Sequence, residues 1–153
     1  MPHIHEKIDF TVEVFIVFSE KVFLRKHDKY KIWLSVGGHI ELHEAPIEAA
    51  TREAKEETGL EIEIFGERLE LSSTPGYKEF IPPRFMNRHK ISETHEHVTL
   101  VYFAKSKTDR INPTGSDQSQ DYKWFTYEEL DDPSYDIRES IRFYAKTALK
   151  EVK

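Results

Sequence analysis

The amino-acid sequence predicts a single α/β domain over residues 1–153. Its length is typical of one domain and is enough to bury a hydrophobic core. Runs of β-branched and aromatic residues, of which Phe10–Phe18 is the longest, are typical of buried strands. Two other segments, Pro46–Glu57 and Tyr135–Lys150, carry apolar residues at the spacing of one helix face. The chain therefore contains both strands and helices, as an α/β fold requires.

The first two predicted strands form a hairpin, in which Phe10–Phe18 runs into a short turn and Val22–Lys26 returns. The segment Lys29–Val36 holds aromatic residues and leads into Gly37 and Gly38, where backbone angles closed to other residues become available. Three further strands are predicted after the first helix: Leu60–Phe65, in which aliphatic residues alternate with glutamate, Val98–Ala104 and Tyr122–Phe125.

The first predicted helix, Pro46–Glu57, has clear boundary signals. Pro46 suits the first turn, where a backbone N–H has no partner, and Gly59 follows as a terminator. The apolar stripe is mostly alanine, which predicts close packing on a neighbouring element; its members are Ile47, Ala50 and Ala54. Thr126–Glu129 has the pattern of a capping box that starts a turn or short helix, and the amphipathic helix Tyr135–Lys150 follows.

Two segments lack periodicity. Ser72–His97 contains four Pro or Gly residues among aromatic and charged ones, which predicts a long irregular segment of the kind that is usually a functional or disordered loop. Thr108–Gln120 is polar, and we expect a solvated connection there.

Composition excludes several classes of protein. The absence of cysteine rules out disulfides, cysteine-ligated zinc, iron–sulfur clusters and a cysteine nucleophile. The net charge of −6 argues against a protein that binds duplex nucleic acid. No stretch has the ~18–20 apolar residues of a membrane span, and the N-terminus lacks the pattern of a secretory signal. We therefore expect a cytoplasmic protein that does not bind membranes.

Three carboxylates of the first helix fall on one narrow face. Glu53, Glu56 and Glu57 are spaced i, i+3 and i+4, and like charges at this spacing weaken an isolated helix. A divalent cation would remove the conflict, since Mg²⁺ prefers oxygen ligands and is often shared between carboxylates and phosphates. The alternative is an ordinary solvated helix face, because Glu48–Arg52 and Arg52–Glu56 are ion pairs at i, i+4 spacing.

The stretch Gly38–Leu60 resembles the signature of the Nudix hydrolases, G-x5-E-x7-R-E-U-x-E-E-x-G-U, in which U is aliphatic. Every fixed position of this Nudix box is present; the residues are Gly38, Glu44, Arg52, Glu53, Glu56, Glu57 and Gly59. Ala54 is a small residue for its aliphatic position, and Trp124–Leu130 resembles a segment near the end of similar proteins. The resemblance implies an α/β/α sandwich with a mixed β-sheet and a catalytic loop–helix–loop.

The resemblance also implies roles for the residues of the box. Glu53, Glu56 and Glu57, with the carbonyl of Gly38, would bind Mg²⁺ or Mn²⁺. Other residues would have structural roles, since Glu44 and Arg52 would brace the loop against the helix and Gly59 would permit a sharp turn. Many relatives have Ser or Thr before the proline, whereas Ala45 cannot cap the helix with its side chain, at a cost of ~1 kcal/mol of local stability.

The implied reaction is hydrolysis of the diphosphate linkage of a nucleoside diphosphate joined to another group. Such a reaction needs in-line positioning, neutralised phosphate charge and a proton acceptor. The candidates for the general base are Glu53 or Glu56 within the box and Glu96 outside it. The alternative function is a catalytically silent binding module that senses a nucleotide, although none of the glutamates of the box is lost.

The sequence His95-Glu96-His97 lies just before a predicted strand. These residues are candidates for an extra metal ligand or base near the site. The alternatives are a polar start of the strand, or a histidine pair that touches substrate. A single H-x-H pattern is weak support for a transition-metal site, which needs three or more protein ligands.

The substrate is the least determined feature. The position of Pro75 resembles that of a proline in ADP-ribose pyrophosphatases, whereas the position of Tyr77 resembles that of a tyrosine in diadenosine-polyphosphate hydrolases. Nucleoside triphosphates are a further class of candidate substrates. Four residues are candidates for stacking on a base or holding a phosphate: Tyr77, Phe80, Arg84 and Phe85. Trp33 is assigned to the core. The expected partner is a small nucleotide diphosphate, and a homodimer is open because many relatives dimerise.

Overall fold

The computed structural model describes residues 7–71, 74–114 and 121–153, which form one mixed β-sheet with an α-helix on each face. The strands are β1 Ile8–Phe18, β2 Lys21–Lys26, β3 Trp33–Leu34, β4 Val36–His39, β5 Ile62–Ile64, β6 Phe85–Ser92, β7 His95–Ser106 and β8 Tyr122–Phe125. The α-helices are α1 Pro46–Thr58 and α2 Glu139–Glu151, and short 3₁₀ turns lie at Glu129–Asp131 and Pro133–Tyr135.

The sheet is mixed because its two longest strands are parallel. In the order β3-β2-β1-β7-β5, β1 runs parallel to β7 with Asp9 opposite His97 and Phe15 opposite Phe103. The remaining pairings are antiparallel, with β4 beside β1, β6 beside β7 and β8 beside β2. The predicted α/β/α sandwich is confirmed.

Strict alternation along β1 builds both layers of the core. Val12, Val14 and Ile16 point towards α1, whereas Phe15 and Val17 point towards α2. Both sets are almost completely buried. A strand with both faces covered has the nearly continuous apolar sequence from which this segment was predicted.

The face of α1 that packs against the sheet consists mainly of alanine. Ala49, Ala50 and Ala54 are fully buried against the layer that contains Val12 and Val36. At its start, Glu48 accepts a hydrogen bond from the N–H of Ala45 (2.9 Å), which supplies part of the cap that the alanine side chain cannot provide.

The segment Ser72–His97, predicted to be irregular, contains a strand. Within its described part, Phe85–Ser92 forms β6, and β7 begins at His95, three residues before the predicted start; Ser72 and Ser73 lie outside the described residues. The prediction was wrong because β6 is mostly exposed, so polar side chains occupy both of its faces and hide the alternation.

The C-terminal helix begins later than predicted. Residues Pro133–Tyr135 form a 3₁₀ turn capped by Asp132, and Asp136 adopts a left-handed conformation (φ 51°) that interrupts the helix. The regular helix therefore starts at Glu139. Of the polar connection Thr108–Gln120, residues 115–120 lie outside the described part of the chain.

Gly59 ends α1 in the left-handed conformation (φ 76°), and a Cβ there would lie 2.2 Å from the carbonyl oxygen of Asn112. Gly59→Ala should therefore lower the free energy of unfolding by more than the ~1–2 kcal/mol that a side chain costs in the left-handed conformation, because it also creates this clash with the backbone. Gly76→Ala is the matched control, because its φ is 83° but no atom lies within 4 Å of the added Cβ. Urea denaturation should show the larger loss of unfolding free energy for Gly59→Ala, and equal losses would contradict this.

Candidate active site

The carboxylates of the Nudix box lie where α1 meets β4. The side chains of Glu53 and Glu57 are 14% and 8% exposed, whereas Glu56 is 46% exposed. Gly38 approaches Glu53 so closely that a Cβ at Gly38 would stand 2.3 Å from Oε1 of that glutamate. The close approach of helix and strand thus places a backbone segment beside the carboxylates.

Arg52 connects the loop to three glutamates. Its guanidinium donates to both oxygens of Glu44 (2.7 and 3.0 Å), to Glu53 (2.9 Å) and to Glu56 (3.2 Å). It also donates to the carbonyl of His39 (3.0 Å), and the hydrogen bonds from Arg52 hold the pKa of Glu44 below its usual value. These contacts are those that a bracing role for Glu44 and Arg52 requires.

Glu57 occupies a different environment. Its Oε2 lies 2.7 Å from Nε of Arg25 on β2, in a buried contact whose angle is not that of a hydrogen bond. The pKa of Glu57 is raised to about 8, chiefly by burial and also by a hydrogen bond with Glu53 and its like charge, in spite of the opposing charge of Arg25. A second cation would favour the ionised form of both carboxyl groups.

This donor set fits a hard divalent cation. Three carboxyl groups and a neighbouring backbone segment offer oxygen ligands, and the unfavourable burial of negative charge at Glu57 would be relieved by the ion. Glu53 lies against Gly38 and interacts with Glu57, whereas Glu56 is joined to Glu53 through Arg52.

Glu96 lies at the start of β7 and is held by other partners. Both of its oxygens accept hydrogen bonds from Arg88 (2.5 and 3.1 Å), and Lys7 lies 3.7 Å away. The hydrogen bonds from Arg88 keep the pKa of Glu96 below its usual value. Among the described residues, Glu96 forms its ion pairs with Arg88 and Lys7.

The two histidines beside Glu96 point to the opposite face of the sheet. There His95 and His97 meet Asp9 from β1, His39 from β4 and His89 from β6. Burial lowers the pKa of His97, and the neighbouring histidines His39, His89 and His95 lower it further.

The four predicted substrate residues do not form one group. Tyr77 is exposed and donates to Glu79 (2.5 Å), at the end of a turn in which its N–H reaches the carbonyl of Thr74. Arg84 donates to both oxygens of Glu151 in α2 (2.7 and 2.8 Å), and Phe85 packs on Tyr144.

Phe80 lines a cavity of about 700 Å³ between α1, β5 and the segment 66–81. Arg52 reaches its rim, and Lys78 and Arg68 add positive charge to the wall. Glu53, Glu56 and Glu57 do not line this cavity, but Arg52, which donates hydrogen bonds to Glu53 and Glu56, does. Trp33, which was assigned to the core, is partly buried and stacks edge-on against Phe125.

Sequence reasoning missed Arg25, Glu13, Asp9 and His39. Arg25, Asp9 and His39 lie on strands whose partners come from distant segments, so nothing local signals their roles. Glu13 alone had a local signal, since it interrupts the apolar run of β1. Burial raises its pKa to about 7.

The model of the NUDIX domain family matches residues 9–146 of the chain. The chain belongs to the Nudix hydrolase family. A hydrolase of the NUDIX family from Clostridium perfringens has a similar structure, with a TM-score of 0.83 and 34% identity over 95% of this chain and 98% of that one. The MutT NUDIX hydrolase of Burkholderia pseudomallei shares the fold at 20% identity, with a TM-score of 0.66 over 97% of this chain and all of that one.

A curated relative of this Nudix hydrolase comes from Lactococcus lactis subsp. cremoris (strain MG1363) and is called a probable DHNTP pyrophosphohydrolase. The two are 33% identical over 88 residues, which are 57% of this chain. The match spans about half of the relative, or 48% of its length. Among the residues that the structure describes, no helix of the Nudix hydrolase has the length and apolar character needed to span a bilayer.

Above pH 8, where Glu57 is ionised, replacing Arg25 by Met should destabilise the Nudix hydrolase by about 3–5 kcal/mol, because it leaves the buried carboxylate without its cation. The measurement is urea denaturation in the presence of a chelator. Lys90→Met is the matched control, since the Lys90–Glu93 pair is exposed and such pairs contribute about 0–1 kcal/mol. Equal effects of the two substitutions would contradict a stabilising role for Arg25.

Glu13 should make stability depend on pH. The folded protein keeps a proton on Glu13 up to about pH 7, whereas the unfolded chain releases it near the ordinary value of 4.5. The native state therefore binds more protons in this interval, and its stability falls as the pH rises through it. Glu13→Gln should be more stable than the wild type above pH 7, and this advantage should vanish below pH 4.5.

Thermal denaturation across this interval is the measurement, with Glu63→Gln as the control because Glu63 is an exposed strand glutamate. A pH profile of Glu13→Gln that runs parallel to that of the wild type would exclude the buried proton on Glu13.

Proposed function

We propose that this Nudix hydrolase cleaves the diphosphate linkage of a small nucleotide derivative with the help of Mg²⁺ or Mn²⁺. The proposal is supported by the contacts where α1 and β4 meet: Glu53 lies against Gly38 and beside Glu57, and Arg52 bridges Glu53 and Glu56. Together with the Gly38 carbonyl, these carboxylates would hold the ion. When bound, the ion supplies neutralisation of phosphate charge and a water of lowered pKa.

The different surroundings of the glutamates in the box indicate different roles for them. Glu57 is buried beside Arg25 and Glu53 and has little access to solvent, so it is suited to bind the ion rather than to exchange protons with water. Glu56 is the most exposed of the three and uses one oxygen for Arg52, which leaves the other open to water. We therefore favour Glu56 as the general base, with Glu53 as the alternative within the box.

Glu96 is a weaker candidate for the base. A base must lie within hydrogen-bond reach of the attacking water, and both oxygens of Glu96 are taken by Arg88. Its use would require Arg88 to release it.

The proposed substrate class is a nucleoside or nucleoside-like triphosphate. Support comes from the relative whose name specifies DHNTP, with which this chain shares 33% identity over 88 residues. Neither Pro75 nor Tyr77 favours ADP-ribose or a dinucleotide polyphosphate, because the described turn at Thr74–Tyr77 accounts for the proline and glycine structurally. ADP-ribose and dinucleotide polyphosphates therefore enter the test as comparison substrates.

The test is formation of the mononucleotide product, together with pyrophosphate or phosphate for the triphosphates, from a panel that contains DHNTP, nucleoside triphosphates, ADP-ribose and a dinucleotide polyphosphate. We expect turnover that requires Mg²⁺ and is highest for a triphosphate. Glu56→Gln should lower kcat by about 10²–10⁴-fold, the usual contribution of a general base, with little change in substrate affinity. Glu61→Gln is the control, because Glu61 lies just beyond the same helix and pairs with Lys55.

Two results would overturn parts of the proposal. Tight nucleotide binding without turnover of any member of the panel would favour the sensing module, the second candidate function. Unchanged kcat in Glu56→Gln would reject Glu56 as the base, and Glu53→Gln and Glu96→Gln would then separate the two remaining carboxylates.

A further inference from the structure

A second cluster of ligand-type side chains lies on the sheet face that is turned away from α1. Strand register creates it, because Asp9 of β1 is opposite His97 of β7, which is in turn opposite His89 of β6. His95 precedes His97 by two residues and points to the same face, and His39 of β4 joins them from the other side of β1. We call Asp9, His39, His95 and His97 the histidine cluster.

The distances within the histidine cluster are those of a ligand set. His95 Nε2 lies 2.9 Å from Asp9 Oδ2, and His39 Nε2 lies 3.3 Å from the same oxygen. One ligand atom from each of Asp9, His95 and His97 falls within 4.8 Å of the others. The ring centroid of His97 is 5.2 Å from those of both His39 and His95. Asp9, His95 and His97 therefore converge on one small volume, and His39 stands beside them against the same Asp9 oxygen.

We propose that the histidine cluster binds a divalent transition-metal ion such as Zn²⁺, with Asp9, His95 and His97 as ligands and His39 as the fourth. Two imidazoles and a carboxylate on neighbouring strands match a donor set that first-row transition metals prefer, whereas Mg²⁺ prefers oxygen alone. This site does not depend on the proposed hydrolase function.

Charge balance favours a metal over simple ion pairing. One carboxylate, Asp9, faces three imidazoles of the cluster, and its single negative charge balances only one imidazolium. Around a divalent cation, the imidazoles can all be neutral ligands, so there is no repulsion between imidazolium groups.

Side chains outside the ligand set support its geometry. Asn87 donates through Nδ2 to the hydroxyl of Tyr144 in α2 (3.1 Å), so its Oδ1 accepts from Nδ1 of His89 (2.9 Å). The Nε2 atom of His89 is then left as an acceptor, on a ring whose centroid lies 5.6 Å from that of His97. Such second partners commonly fix the orientation of imidazoles at metal sites.

The histidine cluster and the carboxylates of the box are adjacent in sequence but lie on opposite faces. Gly38 and His39 are successive residues of β4, so Gly38 faces Glu53 while His39 faces Asp9. A metal in the cluster would tie β4 to β1 and β7, and it would thereby stiffen the strand that carries Gly38.

The test is a titration of metal-free protein with Co²⁺ in the presence of excess Mg²⁺, followed by calorimetry and by the visible absorption of Co²⁺. The excess Mg²⁺ is added to fill the carboxylates of the box, so that Co²⁺ does not bind there. The protein also carries His3→Asn and His5→Asn, which remove the two histidines near the N-terminus as Co²⁺ ligands. We expect one Co²⁺ ion per chain with an absorption spectrum typical of nitrogen ligands, and displacement by Zn²⁺.

Substitutions assign the site. His97→Asn should weaken Co²⁺ binding by more than the ~10–100-fold that loss of a second-shell partner costs, and Asp9→Asn should act in the same direction. His43→Asn is the matched control, since His43 is exposed and lies outside the cluster. If His97→Asn does not fold by circular dichroism, His39→Asn provides a milder variant with an expected loss of affinity and of the spectrum.

The proposal is overturned if metal-free protein binds no Co²⁺, or if His95→Asn, His97→Asn and Asp9→Asn bind it as the wild type does. Glu56→Gln separates the two sites, because it should abolish turnover and leave Co²⁺ binding by the cluster intact. Loss of Co²⁺ binding in Glu56→Gln would place the ion in the box and would also overturn the proposal.

Discussion

The close approach of α1 to the sheet is the constraint on which the candidate site depends. Alanines at the contact face allow the helix axis to come near β1, and the absence of a side chain at Gly38 allows the carboxylate of Glu53 to lie against the strand backbone. A larger residue at either place would move the helix outwards. The carboxylates would then no longer meet the backbone of β4.

Close packing concentrates negative charge, and two arginines balance it in different ways. Arg52 stays at the surface and shares its donors among three glutamates and a carbonyl oxygen. Arg25 is buried on the neighbouring strand and contacts Glu57 alone among the glutamates of the box. Carboxylates of the same helix therefore have unequal environments. Through such differences a protein commonly assigns one carboxylate to bind a cation and another to exchange protons.

The same strands contribute side chains to both faces of the sheet. Along β1, even-numbered residues pack under α1, and odd-numbered residues form the layer under α2 and, further towards the N-terminus, the group around Asp9. A single residue of displacement in the β1–β7 register would exchange these faces. The carboxylate site and the histidine cluster thus depend on one pairing of parallel strands.

The sequence by itself determined the elements with strong local patterns and the identity of the box. These patterns lie within short segments, because periodicity and capping act over a few residues. They are the apolar run of β1, the alanine stripe and end signals of α1, and the spacing of Glu53, Glu56 and Glu57. Only the tertiary structure decided the strand β6, the pairing of Glu96 with Arg88, the burial of Glu57 beside Arg25 and the meeting of Asp9 with His97. Each of these depends on which segments, distant along the chain, become neighbours in the sheet, and strand register is set by the whole set of pairings rather than by any one segment.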